Sequence, residues 1–196
     1  MKFIFDFDDT LFDSKRFKER IYACLEKASI SRSTAETHYR AVRLTQEPFS
    51  LKKFLTDLLP SPSEVEVVYL DIMRVCQSFI NQELLAVIRR LGRDNCYIVT
   101  QGDEEFQNDK IEKSAISMLF AERHIVTGPK RELVSQICAR YKDEDVVFVD
   151  NKVDALNDID REKCQNLKTI LWDEHGLAKL STLTKGDAGN ELRRRK

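Results

Sequence analysis

Four places along the chain gather residue types suited to phosphoryl chemistry. Asp6-Phe7-Asp8-Asp9-Thr10-Leu11 closes a first short apolar run, Thr100-Gln101-Gly102 closes a second, Lys130 follows a third within Gly128-Pro129-Lys130, and Asp150-Asn151-Lys152-Val153-Asp154 closes a fourth. Several acids without a His or Cys cluster suit a hard, oxygen-seeking cation such as Mg²⁺ rather than Zn²⁺. Such a cation neutralises the repulsion between an anionic phosphate and an Asp nucleophile. A lysine and a threonine hydroxyl can hold phosphoryl oxygens as negative charge redistributes. Asp6 and Asp8, two residues apart, can divide the labour: one attacks phosphorus, while the other donates a proton to the leaving oxygen and later takes one from water.

These residues need a scaffold that brings strand ends together, and the hydrophobic pattern supplies one. Strand-length apolar runs rich in Ile, Val, Phe and Tyr fall at 2–7, 95–100, 124–127, 145–150 and 167–172. Helical spacing marks 81–91 (Leu84, Leu85, Ile88, Leu91) and 131–141 (Leu133, Val134, Ile137, Cys138). This alternation predicts an α/β fold with a doubly wound, mainly parallel, Rossmann-like sheet, whose ligands bind at the carboxyl ends of the strands. Residues 13–80 break the pattern. They carry helical stripes (Phe17, Ile21, Cys24, Leu25, Ala28; Leu51, Phe54, Leu55, Leu58, Leu59; Val65 through Phe79), a further helix near 33–44, and a capping box at Ser61-Pro62-Ser63-Glu64 after Pro60. An all-helical insert after the first strand is therefore expected. The predicted division is a core of 1–12 with 81–183, a helical insert of 13–80, and a polar tail of 184–196 ending in Arg193-Arg194-Arg195-Lys196.

Composition narrows the partners. In 196 residues, 32 Lys+Arg oppose 33 Asp+Glu, so the chain is not a polycation built for nucleic acid or an anionic membrane. Hydrophobic residues at 42% suffice for a core, and only 6 Gly and 4 Pro favour regular elements. Five scattered cysteines without a C-x-x-C pair suit a reduced compartment. No apolar stretch approaches the roughly 18–20 residues of a membrane span. A cytoplasmic protein without a nucleic-acid or membrane partner is expected.

The run FIFDFDDTLFDS resembles the first motif of the haloacid dehalogenase-like hydrolase superfamily, D-x-D-x-T continuing as T-L-x-D-S, with Asp6, Asp8, Thr10, Leu11, Asp13 and Ser14 matching. Thr100 resembles the second motif, Lys130 the third, and Asp150 with Asp154 the D-x-x-x-D form of the fourth. The helical insertion falls where that superfamily places its C1-type cap. The resemblance implies a Mg²⁺-dependent phosphatase in which Asp6 forms an aspartyl phosphate and Asp8 serves as general acid and then base. It also implies that Asp6, Asp150 and the Asp8 backbone carbonyl ligate Mg²⁺, that Asp154 orders a metal-bound water or Lys130, and that Thr100, Gln101, Gly102 and Lys130 bind the phosphoryl group. Asp9 stands where glycine is frequent, and Asn151 would replace the second acid if the motif used adjacent acids. The substrate implied is a small phosphorylated metabolite, such as a sugar phosphate or nucleoside monophosphate. A phosphomutase or phosphotransferase on the same scaffold and a non-catalytic binding module are the alternatives. A cap residue near Lys15 or Arg16 is placed to face the substrate.

Overall fold

A computed structural model, describing residues 1–45 and 47–184, places the first apolar run at the centre of a five-stranded parallel sheet. The strands are β1 (Lys2–Phe5), β2 (Cys96–Gln101), β3 (Glu122–Val126), β4 (Val146–Asp150) and β5 (Leu167–Leu171), in the spatial order β3-β2-β1-β4-β5. The chain thus steps outward from β1 in one direction and then crosses back to its other side. That reversal leaves a crevice at the carboxyl ends of β1 and β4. Register makes the proximity concrete, because Phe5 pairs with Val149 and the Asp6 amide donates to the Val149 carbonyl at 2.9 Å.

Burial on both faces follows from strand alternation. Phe3 and Phe5 join one apolar cluster with α5 (Gln82–Leu91) and the helical insertion, whereas Ile4, Val146 and Phe148 join another with α7 (Arg131–Arg140). All five strands and both helices predicted between strands lie close to their expected positions.

Between β1 and α5 the chain is helical: α1 (Ser14–Lys27), α2 (Arg32–Leu44), α3 (Leu51–Thr56) and α4 (Pro62–Met73). Asp13 caps α1 by accepting from the Arg16 amide, and Ser61 caps α4 by accepting from the Glu64 amide, with Pro62 in the first turn. The apolar stripe expected to run unbroken to Phe79 stops after Met73, and a single 3-10 turn over Cys76–Phe79 swings Phe79 onto Phe12 and Phe17. Phe12 pins the joint between insertion and core. It stacks on Phe7 and meets Phe17 edge-on, each at 5.1 Å between ring centroids. Backbone bonds close the same joint, from the Asp13 amide to the Phe79 carbonyl (2.9 Å) and from the Asn81 amide to the Leu11 carbonyl (2.8 Å).

Three helices escape the periodicity: α6 (Glu104–Lys113), α8 (Val153–Asn157) and a last helix, α9, over 176–184. The first has the largest consequence. Phe106 on α6 packs against Phe17 and Phe49, Glu105 pairs with Lys52 at 2.5 Å, and Asp109 accepts from the Tyr69 hydroxyl. Helix α6 is therefore the platform on which the helical insertion rests. Of the tail expected over 184–196, Thr184 is the last described residue and lies in α9, and the remainder lies outside the described residues. Among the described residues no helix is long and apolar enough to cross a membrane.

Phe12 is 1% exposed and central to the aromatic joint. Phe12→Ala should destabilise the protein by about 3–5 kcal/mol in denaturant unfolding. A loss below about 1 kcal/mol would show that the joint does not depend on this ring.

Candidate active site

The loop after β1 winds into a tight turn. The amides of Leu11 and Phe12 both donate to the Phe7 carbonyl at 2.9 Å, and the Asp9 amide returns to the Phe12 carbonyl at 2.7 Å. Asp9 adopts φ +57, a left-handed conformation that Asp tolerates better than most residues, which accounts for a position where glycine is common. The turn aims Asp6 and Asp8 into one cavity, of about 460 Å³, which Thr100, Gln101, Gly102 and Lys130 also line.

Lys130, just before α7, reaches between the two central strands. Its Nζ lies 2.5 Å from Asp6 Oδ1 and 2.7 Å from Asp150 Oδ2, with the three side chains only 6%, 5% and 0% exposed. The remaining oxygens are also occupied: Asp6 Oδ2 accepts from the Thr10 hydroxyl at 3.2 Å, and Asp150 Oδ1 accepts from the Lys152 amide at 2.8 Å. Burial pushes the Asp6 carboxyl up to about 6; Lys130 opposes that shift and the Asp150 charge adds to it. Burial alone would lower the Lys130 ammonium, but the two carboxylates outweigh it and hold its pKa above the ordinary value.

Asp8 occupies a different environment. Its carboxylate accepts from Lys110 Nζ (2.5 Å), Gln107 Nε2 (2.6 Å) and Ser14 Oγ (2.7 Å). Burial would raise this carboxyl, yet the Lys110 charge and the three hydrogen bonds prevail and hold it below the ordinary carboxylate range. Lys110 is 3% exposed, and its ammonium also lies 4.8–5.3 Å from the ring centres of Phe7, Phe12 and Phe106. Neither Lys110 nor Gln107 was marked by the sequence motifs. The available signal was modest: Asp103, which caps α6 by accepting from the Phe106 amide, is followed by Glu104 and Glu105 in the first turn.

Thr100, the penultimate residue of β2, is 1% exposed, and its Oγ1 has no hydrogen-bond partner among the described residues. An unsatisfied buried hydroxyl costs about 1–3 kcal/mol, a penalty that a ligand oxygen would remove. Gly102 matters through its missing side chain: a Cβ there would come within 2.6 Å of Gln107 Nε2, the atom that holds Asp8. Gln101 is exposed at the cavity edge and donates to the Thr127 carbonyl.

Asp154 does not reach Lys130. It lies exposed in the first turn of α8, and among the described residues Lys130 contacts Asp6 and Asp150 instead. Asn151, next to Asp150 in sequence, has a buried Oδ1 without a hydrogen-bond partner among the described residues. Among the described residues no three His, Cys, Asp or Glu side chains converge as a metal cage. Mg²⁺ does not require one, since one or two carboxylates with water or phosphate oxygens suffice. The two buried carboxylates, Asp6 and Asp150, match that donor chemistry.

The Asp6 carboxyl is raised from its ordinary 3.8, so its contribution to stability is fully present below about 3.8 and is lost as pH rises through about 6. With chelator present, Asp6→Asn should gain stability on wild type by on the order of 1–3 kcal/mol between about pH 4 and about pH 8. A gap that is flat or closes over this range contradicts the proposed burial effect.

No family model and no curated protein sequence matches the chain. Solved structures do. A Burkholderia xenovorans protein described as a haloacid dehalogenase-like hydrolase superposes with a TM-score of 0.68 at 19% identity, covering 90% of this chain and 89% of that one. A 2-haloacid dehalogenase from Pseudomonas syringae gives 0.59 at 16% identity, covering 94% and 98%. A Thermotoga maritima protein described as a β-phosphoglucomutase gives 0.56 at 15% identity, covering 92% and 91%. The chain has the haloacid dehalogenase-like hydrolase fold.

Proposed function

We propose that the protein is a Mg²⁺-dependent phosphomonoester hydrolase acting on a small phosphorylated metabolite. The observation that carries this reading is the opposed treatment of two acids in one cavity. Asp6 is buried against Lys130 beside the unsatisfied Thr100 hydroxyl, while Asp8 stands apart in its own hydrogen-bonded pocket.

The roles follow from these surroundings. A carboxyl pushed up to about 6 is mostly ionised at neutral pH, so Asp6 can attack phosphorus through a carboxylate oxygen. The ester P–O bond then breaks, its electron pair leaves with the ester oxygen, and Asp8 supplies that oxygen with a proton. Lys130 and Thr100 hold the transferring oxygens. In the second half a water attacks the phosphorus of the aspartyl phosphate, gives its proton to Asp8 and releases the Asp6 carboxylate with phosphate. At rest Asp8 is a carboxylate, the form this second half needs. Phosphoryl oxygens that draw Lys110 away would weaken the contact that keeps Asp8 ionised, and so favour the protonated form needed first. Asp6, Asp150, Asn151 Oδ1 and the Asp8 carbonyl would hold Mg²⁺. The cation supplies charge neutralisation between nucleophile and phosphate. Carbon–halogen cleavage has no use for a proton donor, because a departing halide needs none, so Asp8 favours the phosphate reading over that of the dehalogenase relatives.

Phosphate release should require Mg²⁺, and Asp6→Asn should lower it by at least about 10³-fold without unfolding the protein. Asp150→Asn should raise the Mg²⁺ concentration needed by about tenfold or more, whereas Asp154→Ala should leave it within about threefold. Activity retained in Asp6→Asn would remove this residue as the nucleophile. Asp8→Asn should slow an alkyl phosphate by about 10²–10⁴-fold and 4-nitrophenyl phosphate, with its better leaving group, far less. Equal losses would contradict the acid role.

A further inference from the structure

The cavity has a second charged end. Helix α1 begins at Ser14, whose hydroxyl holds Asp8, and Ser14, Phe17, Lys18 and Ile21 all line the cavity. Their spacing of three, four and seven residues puts them on one helix face, so Lys18 stands one turn, about 6 Å, farther from the acid than Ser14. On α2, Tyr39 and Arg43 share a face in the same way and line the same cavity. The two faces meet where Lys18 Nζ lies 5.6 Å from the centre of the Tyr39 ring.

The cations of this cavity are of two kinds. Lys110 and Lys130 are matched by Asp8, Asp6 and Asp150. Lys18 and Arg43 have no carboxylate within 4.0 Å among the described residues, although Lys18 is half-buried; the lining's one other unmatched cation, Lys152, stands at the Asp150 end, where its amide holds that carboxylate, and the lining's Glu47 is engaged by Lys53. Between the matched and unmatched pairs the wall is aromatic, built from Phe17, Tyr39, Phe49 and Phe106. A hexose phosphate would set hydroxyls against those rings and leave the outer cations uncompensated. A planar or apolar body that carries negative charge at both ends satisfies the rings and the cations together.

We infer that the cavity takes a phosphomonoester with a planar or apolar body and a second anionic group, carboxylate or phosphate, held by Lys18 with Arg43 about one helical turn beyond the phosphoryl site. This deepens the phosphatase reading and rests on it for the phosphoryl end. Lys18 and Arg43 then determine specificity and take no part in bond breaking.

Phosphonates, which cannot be hydrolysed, separate binding from chemistry. Calorimetry with the full chain and Mg²⁺ would compare benzylphosphonate with analogues carrying a para carboxylate or a para phosphonomethyl group. At least one second anion should tighten binding by about tenfold or more, and whichever analogue gains more identifies the group. The gain should fall below about threefold in Lys18→Gln, return in part in Lys18→Arg and shrink in Arg43→Gln, while the affinity for benzylphosphonate itself moves by less than about threefold. No gain in wild type, or a gain unchanged in both glutamine variants, overturns the inference. Turnover of 4-nitrophenyl phosphate by the same samples separates the two readings. Turnover without a second-anion gain sinks this inference alone; a gain without turnover supports the two-anion cavity and sinks the hydrolase reading; neither phosphonate binding nor turnover sinks both.

Discussion

One ammonium between two buried carboxylates sets the terms for the rest of the molecule. Asp6 and Asp150 lie at the ends of adjacent central strands, almost wholly out of water, and two such anions side by side would repel strongly without Lys130 between them. The strand order that places β1 beside β4 makes the contact possible, and α7 delivers the lysine. The arrangement is costly in desolvation, and a fold selected only for stability could fill the same space with apolar side chains. Under the proposed function its value lies in what it keeps ready: a carboxylate mostly ionised near neutral pH and a lysine on the wall of the same cavity.

Asp8 shows how a few residues of spacing give the same functional group a different character. Asp6 is raised chiefly by burial, while Asp8 is lowered because Lys110, Gln107 and Ser14 outweigh its burial. The helix that supplies two of those partners also carries Phe106 and Asp109, on which the helical insertion rests. The seat of the insertion and the state of Asp8 therefore share one element, α6, whose position bears on both.

The central strands were legible because β1, β2 and β4 are buried on both faces and read as unbroken apolar runs, and their ends could be inspected for polar residues. The helical insertion was legible from its stripes and from the Ser61-Pro62 cap. Helix α6 was not, because its inward positions include Gln107 and Lys110, buried polar side chains that blur the apolar period precedent to helix recognition. Those two residues are buried for the sake of Asp8, so the same chemistry that hid the helix from its pattern builds the site. Asp154 shows what spacing alone leaves open: it fits a motif, yet the first turn of α8 carries it to the surface, where it does not reach Lys130.

The central claim is that the Asp6 carboxylate forms a covalent bond to phosphorus. Acid quenching of the enzyme during turnover, followed by mass spectrometry of its peptides, tests it most directly. The account predicts one phosphoryl group on the peptide containing Asp6, removed by hydroxylamine as an acyl phosphate must be. A phosphoryl group on another residue, or turnover with no covalent adduct when its breakdown is made rate-limiting, would contradict it.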